Sequence, residues 1–264
     1  MKSTHSIVSI LLLGAIILVF QVDSIVSFSV PAPVISGVKL QKVHLRNNKE
    51  SESPFCYAAT VDPTLPPPEV KFNFLASQVW PSARSASFIC EQKVDLQWTV
   101  CELGCGPALP SLVMASMGVK SIIATDICEF GLQMAEKAAE DQGLVNFCTR
   151  KFDLVDDDFS ILNEVEADLF VMSDVFETGK VAKGAAKFTM KALESGSRVW
   201  VFAQSDRAQR EVYRDELQKL CGNENEFSNH LLEWKTLKDT EEVFTVDDDL
   251  LWLCNIDEIS VNYG

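Results

Sequence analysis

Residues 99–126, TVCELGCGPALPSLVMASMGVKSIIATD, decide the fold of the chain. The first five, residues 99–103, are mostly apolar and predict a buried strand that ends at Gly104. Apolar residues then recur at spacings of three and four, which predicts an amphipathic helix. Residues 121–125 predict a second strand, which ends at Asp126. A strand, a glycine-containing loop, a helix and another strand make up the repeating unit of a parallel sheet.

The same alternation continues toward the carboxyl terminus. Further strands are predicted at about residues 145–152, 168–172, 198–202, 229–237 and 250–259, and further helices at about 179–194 and 207–221. The last two strands have no long helix between them, so we expect them to close the sheet as an antiparallel hairpin at one edge. The predicted fold class is therefore α/β, with a Rossmann-like, doubly wound, mostly parallel seven-stranded sheet and a C-terminal antiparallel hairpin.

The N-terminal region differs in composition from the rest of the chain. An apolar run at residues 7–20 follows a basic start and is shorter than the roughly 20 residues that a membrane-spanning helix needs, which predicts a signal peptide at residues 1–27. Residues 24–49 contain basic residues and serines but no acidic residue, so residues 28–50 are interpreted as a transit-like segment. The two segments resemble the two-part presequences of plastids with extra bounding membranes. Plastid delivery is predicted, with no stable membrane anchor after processing; the secretory pathway and an uncleaved N-terminal anchor are the alternatives.

A proline-rich stretch separates this region from the body of the chain. Residues 51–70 contain the run Pro66, Pro67 and Pro68 and are predicted to be a linker, because proline neither continues a helix nor donates to a central strand. Residues 71–264 show no low complexity and no internal repeat. They predict one catalytic-size domain, which we expect to act as a monomer.

The charge of the body limits the classes of partner. The chain has 23 basic and 38 acidic residues, and five of the basic but only one of the acidic residues precede residue 50. Residues 50–264 therefore carry 18 basic and 37 acidic residues, a net charge of −19. Such a body repels phosphate backbones, so a basic protein partner is expected and a nucleic acid is not.

Cysteines and histidines give no sign of a metal site. The eight cysteines show no CxxC spacing, and the three histidines, His5, His44 and His230, form no cluster. Several cysteines lie inside apolar runs, which is typical of buried free thiols in a reducing compartment.

Acidic residues follow three of the predicted strands. Glu102, Asp126 and Asp174 lie at strand ends, where an open parallel sheet binds its ligand. The loop at 104–108 is not a nicotinamide-cofactor fingerprint, because Leu109 replaces the third glycine of GxGxxG. Glu102 suits a ligand with an ammonium group, and Asp126 can accept both hydroxyls of a ribose. S-adenosylmethionine carries both groups.

Residues 100–111, VCELGCGPALPS, together with Thr125 and Asp126, resemble motif I and its sequel in class I, seven-stranded S-adenosylmethionine-dependent methyltransferases. The upstream sequence QVWPSA, at residues 78–83, is similar to an element of the lysine-methyltransferase-like branch, of the methyltransferase family 16 type. The resemblance covers about residues 72–204. It implies a methyltransferase domain at residues 71–264.

The resemblance also assigns roles to residues. The implied cofactor-binding residues are Trp80, Glu102, Leu103, Gly104, Cys105, Gly106, Asp126, Ile127, Asp153, Leu154 and Ser173. Among these, Glu102 and the backbone of residues 103–106 would hold the methionine end, Asp126 the ribose, and residues 153–154 the adenine. Asp174 and Glu177 are the implied catalytic residues, with Asp174 binding the incoming ammonium or orienting the amine and Glu177 assisting. No metal is required.

Two positions depart from the pattern of the resembled family. Ala108 stands where many relatives have a third glycine, and Glu177 stands where lysine-directed relatives have the tyrosine of Asp-x-x-Tyr. Phe176 or another aromatic residue is expected to replace that tyrosine. The predicted function is methyl transfer from S-adenosylmethionine to a protein, with a lysine side chain as the expected acceptor. The alternatives are a small-molecule methyltransferase and a non-catalytic cofactor-binding or scaffold protein.

Overall fold

The structure is a computed structural model that describes residues 38–45, 53–61, 75–155, 159–204, 207–221, 235–236 and 251–255. The predicted signal peptide at residues 1–27 lies outside these ranges, as do parts of the transit-like segment, the linker and the C-terminal strands. The described strands are β1 (Val38–His44), β2 (Phe55–Val61), β3 (Thr99–Leu103), β4 (Ser121–Asp126), β5 (Phe147–Lys151), β6 (Leu169–Ser173), β7 (Arg198–Gln204), β8 (Lys235–Thr236) and β9 (Leu251–Asn255). The described helices are α1 (Pro81–Lys93), α2 (Leu109–Ser116), α3 (Glu129–Asp141), α4 (Ser160–Val165), α5 (Gly179–Glu194) and α6 (Gln209–Cys221), and a 3-10 turn covers Leu75–Ser77.

Seven of the strands form one sheet in the order β5-β4-β3-β6-β7-β9-β8. The first five of these pair in parallel, whereas β9 pairs antiparallel with β7 and with β8. The predicted fold class is confirmed, including the C-terminal hairpin. The chain runs outward from β3 to β4 and β5 on one side and continues through β6 on the other, so loops at the carboxyl ends of β3 and β6 diverge and leave a crevice.

Helices cover both faces of the sheet, because its central strands are apolar on both sides. Val100 of β3 packs in a cluster with α1 and α2, and Cys101 and Leu103 pack in a cluster with α5 and α6 on the other face. Alternation along the strand places Glu102 on the same face as Val100, where a charged side chain is unusual. This placement brings the Glu102 carboxyl group to the beginning of α2.

Strands β1 and β2 form a separate antiparallel hairpin. Phe55 and Cys56 pack against Leu109 and Leu112 of α2, and the side-chain amide of Gln142 bonds both the N–H and the carbonyl of Phe55, at 3.0 and 2.8 Å. Residues 55–61, inside the linker expected at 51–70, therefore form a strand, and the packed elements begin before residue 71, where the domain was expected to start. The prolines that suggested a linker follow β2, and its small residues gave no strong strand pattern.

The remaining boundaries differ by a few residues from those predicted. The strand predicted at 145–152 covers 147–151, and the strand predicted at 168–172 covers 169–173. Helix α5 has the predicted bounds. Within the described part of the chain, no helix is long and apolar enough to cross a membrane.

Replacing Gly184 of α5 by alanine should destabilise the fold. A Cβ at this position would overlap the carbonyl oxygen of Leu154, a backbone atom. Glycine to alanine inside a helix ordinarily stabilises by up to about 1 kcal/mol, but this overlap should cost about 1–3 kcal/mol and displace the loop at 152–155. Chemical denaturation of Gly184→Ala beside Lys183→Ala, an exposed neighbour, measures the difference, and a stabilised Gly184→Ala variant would contradict the packing.

Candidate functional site

A cavity of about 520 Å³ lies at the carboxyl ends of β3, β4 and β6. Its volume is in the range of small-molecule and cofactor sites, roughly 300–1,000 Å³. Of the thirteen residues predicted for the site, twelve line this cavity: Trp80, Glu102, Gly104, Cys105, Gly106, Asp126, Ile127, Asp153, Leu154, Ser173, Asp174 and Glu177. The exception is Leu103, whose buried side chain packs in the hydrophobic core.

The glycine loop lets its backbone form the floor of the cavity. Gly104 has a φ of +64°, and a Cβ there would lie 2.6 Å from Cγ1 of Val175. Gly106 has a φ of +50°, and a Cβ there would lie 3.1 Å from the carbonyl oxygen of Ala76. Ala108, which stands in place of the third glycine, adopts φ +59° with its methyl group buried, so the loop keeps its left-handed turn without that glycine.

Glu102 joins strand β3 to the first turn of helix α2. One oxygen of its carboxyl group accepts a hydrogen bond of 3.0 Å from the N–H of Ser111 and another from the Ser111 hydroxyl. Burial raises the pKa of Glu102 to about 8, a shift that the Ser111 hydrogen bonds reduce and the charge of Asp126 increases. At neutral pH the protonated form is therefore stabilised in this protein, and a bound cation would favour ionisation.

Asp126 connects the glycine loop to the loop that leads into α3. Its two carboxylate oxygens each accept a hydrogen bond of 2.8 Å, one from the N–H of Gly106 and one from the N–H of Cys128. Burial raises its pKa, the backbone N–H groups lower it, and the charge of Glu177 raises it. A carboxylate accepts at about four lone-pair positions, so Asp126 keeps capacity for the hydroxyl groups of a ligand.

The loop after β5 forms an apolar wall of the cavity. Asp153 turns this loop by accepting a hydrogen bond of 2.8 Å from the N–H of Val155. Ile127 lies opposite as an exposed apolar side chain, a position that a flat aromatic ligand could cover. The loop is fixed in place because the carbonyl of Leu154 fits against Gly184.

At the end of β6, the side chains of Ser173 and Asp174 differ in their hydrogen bonding. The hydroxyl oxygen of Ser173 is buried and has no hydrogen-bond partner among the described residues. Asp174 has a φ of +56° and a side chain that is only 1% exposed. Its carboxylate accepts hydrogen bonds from Nε of Arg207, at 3.0 Å to each oxygen, and from Nη2, at 2.7 Å. The predicted acceptor-binding carboxylate is therefore already engaged by a guanidinium.

Sequence reasoning missed Arg207, although it follows β7 and so comes to the same edge of the sheet. Its guanidinium carbon lies 4.8 Å from the centroid of the Trp80 ring, so Trp80, Arg207 and Asp174 form one continuous group. Of the aromatic residues expected to replace the missing tyrosine, Phe176 does not reach the cavity. Phe176 is 2% exposed and packs against Tyr213 in the core, whereas the aromatic residues that line the cavity are Trp80 and Phe152.

Glu177 differs from the other cavity carboxylates. It is exposed, lines the cavity, and forms no hydrogen bond or ion pair with any described residue. Lys180, which sequence reasoning also missed, lies nearby at the cavity rim. The described residues contain no cluster able to hold a metal ion, and the seven cysteines whose side chains are described are all free thiols.

No protein-family model and no curated protein sequence matches the chain. Among solved structures, the chain is similar to ribosomal protein L11 methylase from Lactobacillus delbrueckii subsp. bulgaricus, with 17% identity, coverage of 69% of this chain and 78% of that one, and a TM-score of 0.42. It is also similar to a TehB-like SAM-dependent methyltransferase from Corynebacterium glutamicum, with 14% identity, coverage of 69% of this chain and 90% of that one, and a TM-score of 0.43. A third similar structure is M. capricolum TrmK in complex with S-adenosyl-homocysteine, with 13% identity, coverage of 63% of this chain and 65% of that one, and a TM-score of 0.44. Similarities of this extent define neither an activity nor a substrate for this chain.

Replacing Glu102 by glutamine should change how stability depends on pH. The ordinary carboxyl pKa of 4.5 rises to about 8 on folding, so the unfolded chain ionises first. The stabilising contribution of protonated Glu102 is thus complete below about pH 4.5 and lost as the pH approaches about 8. The free energy of unfolding of Glu102→Gln, relative to wild type, should therefore increase from pH 5 to pH 8, by at most about 1.4 kcal/mol per pH unit.

Urea denaturation at each pH measures this difference. Glu140→Gln, which removes an exposed carboxyl group from α3, is the control. A relative stability of Glu102→Gln that stays constant with pH would contradict the assignment.

Replacing Gly104 by alanine should destabilise the loop through contact with Val175. The positive φ alone should cost about 1–2 kcal/mol, and the overlap with Val175 should add about 1–3 kcal/mol. Gly196→Ala measures the backbone cost alone, because Gly196 has a φ of +87° and a Cβ there would meet no atom within 4 Å. In chemical denaturation, Gly104→Ala should cost less in a Val175→Ala background than in wild type; equal costs would exclude the contact as the cause.

Proposed function

We propose that the chain is an S-adenosylmethionine-dependent methyltransferase that methylates a protein, with a lysine side chain as the acceptor. One observation carries the proposal: the glycine loop, the strand-end carboxyl groups of Glu102 and Asp126, and the loop at 152–155 line a single cavity at the carboxyl edge of the sheet. These are the groups that an amino acid, a ribose and an adenine require, in that order along the crevice.

The residues present fit this cofactor. Gly104 and Gly106 keep the loop backbone at the cavity lining, because a Cβ there would contact Val175 or the carbonyl oxygen of Ala76. The buried hydroxyl of Ser173 has no partner among the described residues and is available to a ligand. Glu102 would hold the ammonium of the methionine end, and Asp126 would accept from the ribose hydroxyls. Ile127 and Leu154 would cover the faces of the adenine.

When bound, S-adenosylmethionine supplies an electrophilic methyl group on its sulfonium. The residues of the chain then need to align the acceptor, exclude water and favour an unprotonated amine, whose pKa is ordinarily about 10.4 for lysine. Glu177 is the carboxylate of the cavity best placed to receive the acceptor's proton, because it is exposed and has no partner among the described residues.

The protein substrate is supported by the resemblance of the QVWPSA element to lysine-directed enzymes and by the acidity of residues 50–264, which favours a basic partner. Delivery to a plastid, as a monomer without a membrane anchor, is part of the same proposal and is supported by the composition of residues 1–50. N-terminal sequencing of protein isolated from its source organism would test the delivery step. An intact Met1 would exclude cleavage of a presequence.

Asp126→Asn should weaken the binding of S-adenosylmethionine about 10- to 100-fold, because a hydrogen bond to a charged group contributes about 1.5–3 kcal/mol. Asp168→Asn is the matched control, since Asp168 bonds the N–H of Thr99 at 2.8 Å at the opposite edge of the sheet and does not line the cavity. Isothermal titration calorimetry measures both. An absence of binding to the wild-type protein would refute the proposal.

Incubation of the wild-type protein with methyl-labelled cofactor and a protein extract from its source organism should label a small number of proteins. Mass spectrometry of the labelled bands should place the methyl group on lysine. Label confined to small molecules would favour the small-molecule methyltransferase, and cofactor binding without any transfer would favour the scaffold protein.

A further inference from the structure

Residues 75–80, all of which except Ser77 line the cavity, lead into helix α1, and we refer to them as the arch. At one end, the carbonyl oxygen of Ala76 fits against the glycines of two other elements: a Cβ on Gly106 would lie 3.1 Å from this oxygen, and a Cβ on Gly131 would lie 3.0 Å from it. Only glycine at both positions permits this approach without displacing backbone. The arch is thus seated on the glycine loop.

The middle of the arch is fixed by hydrogen bonds. Nε1 of Trp80 donates to the carbonyl of Leu75 at 3.1 Å, which closes the arch on itself. Nε2 of Gln78 donates to the carbonyl of Ala59 in β2 at 2.7 Å, which ties the arch to the hairpin. The far end is Trp80, whose ring is the last part of the arch before α1 begins at Pro81.

Arg207 links that far end to the end of β6. Its guanidinium carbon lies 4.8 Å from the centroid of the Trp80 ring, and the same guanidinium makes three hydrogen bonds to Asp174. Asp174 keeps its positive φ because its N–H donates a hydrogen bond of 2.8 Å to the carbonyl of Phe202 and its carboxylate is bonded to Arg207. A planar guanidinium can satisfy a carboxylate and stack on an indole together, which the ammonium of lysine cannot do.

This pairing changes what Asp174 can do for an acceptor. A free carboxylate at this position could bind the ammonium of an incoming lysine side chain, which is the role expected of Asp174. A carboxylate that is 1% exposed and bonded through both oxygens to Arg207 offers that ammonium no site. The other charged side chains around the cavity are Glu102, Asp126, Asp153, Glu177 and Lys180.

We infer that Arg207 is a positioning residue that holds Trp80 and the arch across the cavity mouth. It also keeps Asp174 from binding the acceptor, so that Glu177 is the carboxylate that contacts the acceptor. The inference deepens the proposed function and rests on it for the identity of the ligand beneath the arch. Closure of the arch does not depend on that identity. Arg207 therefore acts through Trp80 and Asp174 and makes no contact with the reacting atoms.

Hydrogen exchange measured by mass spectrometry tests the closure without any ligand. In Arg207→Met, the amides of residues 75–80 should exchange about tenfold faster than in wild type. The variant loses both the guanidinium contact with Trp80 and the bidentate hydrogen bonds to Asp174, which should raise the population of the open arch about tenfold. The amides of β3, in the centre of the sheet, should be unchanged and report any general loss of stability. Arg207→Lys keeps the charge without the planar fork and should give an intermediate rate.

A double variant separates positioning from simple loss of an ion pair. Arg207→Met leaves the Asp174 carboxylate without its guanidinium partner, whereas Arg207→Met combined with Asp174→Asn does not. The arch should stay open in the double variant, because the guanidinium that contacts the Trp80 ring is absent there as well. Recovery of wild-type exchange at residues 75–80 in the double variant, or unchanged exchange in Arg207→Met, would overturn the inference.

The cofactor gives a second readout. S-adenosylmethionine should dissociate about tenfold faster from Arg207→Met and from the double variant than from wild type in stopped-flow displacement by S-adenosylhomocysteine. If wild type binds no cofactor, the proposed function fails while the exchange experiment still decides the role of Arg207. If wild type binds cofactor and both variants release it at the wild-type rate, the proposed function stands and the positioning role fails.

Discussion

The buried carboxyl group of Glu102 is the constraint on which the site depends. It occupies a position in β3 where both neighbours along the strand, Cys101 and Leu103, are fully buried, so it must find hydrogen-bond donors inside the protein. The N–H and hydroxyl of Ser111 provide them. The distance from strand to helix is thereby fixed, and the glycine loop between them must turn through left-handed conformations to connect the two.

Much of this arrangement could be predicted from the sequence, because it follows from local patterns. Apolar runs that end at Glu102, Asp126 and Asp174 predict parallel strands, and parallel strands place their carboxyl ends at one edge. The cavity residues on β3, β4 and β6 therefore come together as expected. Leu103 is the exception among the predicted site residues, because strand alternation directs its side chain into the core.

The rest could not be predicted, because it depends on contacts between residues distant along the chain. The pairing of Asp174 with Arg207 joins residues 33 apart, and the hydrogen bond from Gln78 to Ala59 joins the arch to strand β2, which lies within the expected linker. Neither contact leaves a periodic signal. Net charge describes the sequence as a whole, so it gave no sign that a buried acid of the cavity, Asp174, pairs with the basic residue Arg207.

The hairpin limits where a presequence could be cleaved without disturbing the fold. Strand β1 covers the residues between the expected signal peptide and the linker, and every residue from Val38 to His44 pairs with β2. A protease that cut at residue 50 would remove β1 and leave one edge of β2 unpaired, beside the carbonyl of Ala59 that anchors the arch. A cut at residue 27 would spare both strands. Any cleavage that preserves this pairing must therefore occur before Val38, so the hairpin sets the latest N-terminus that the folded domain tolerates.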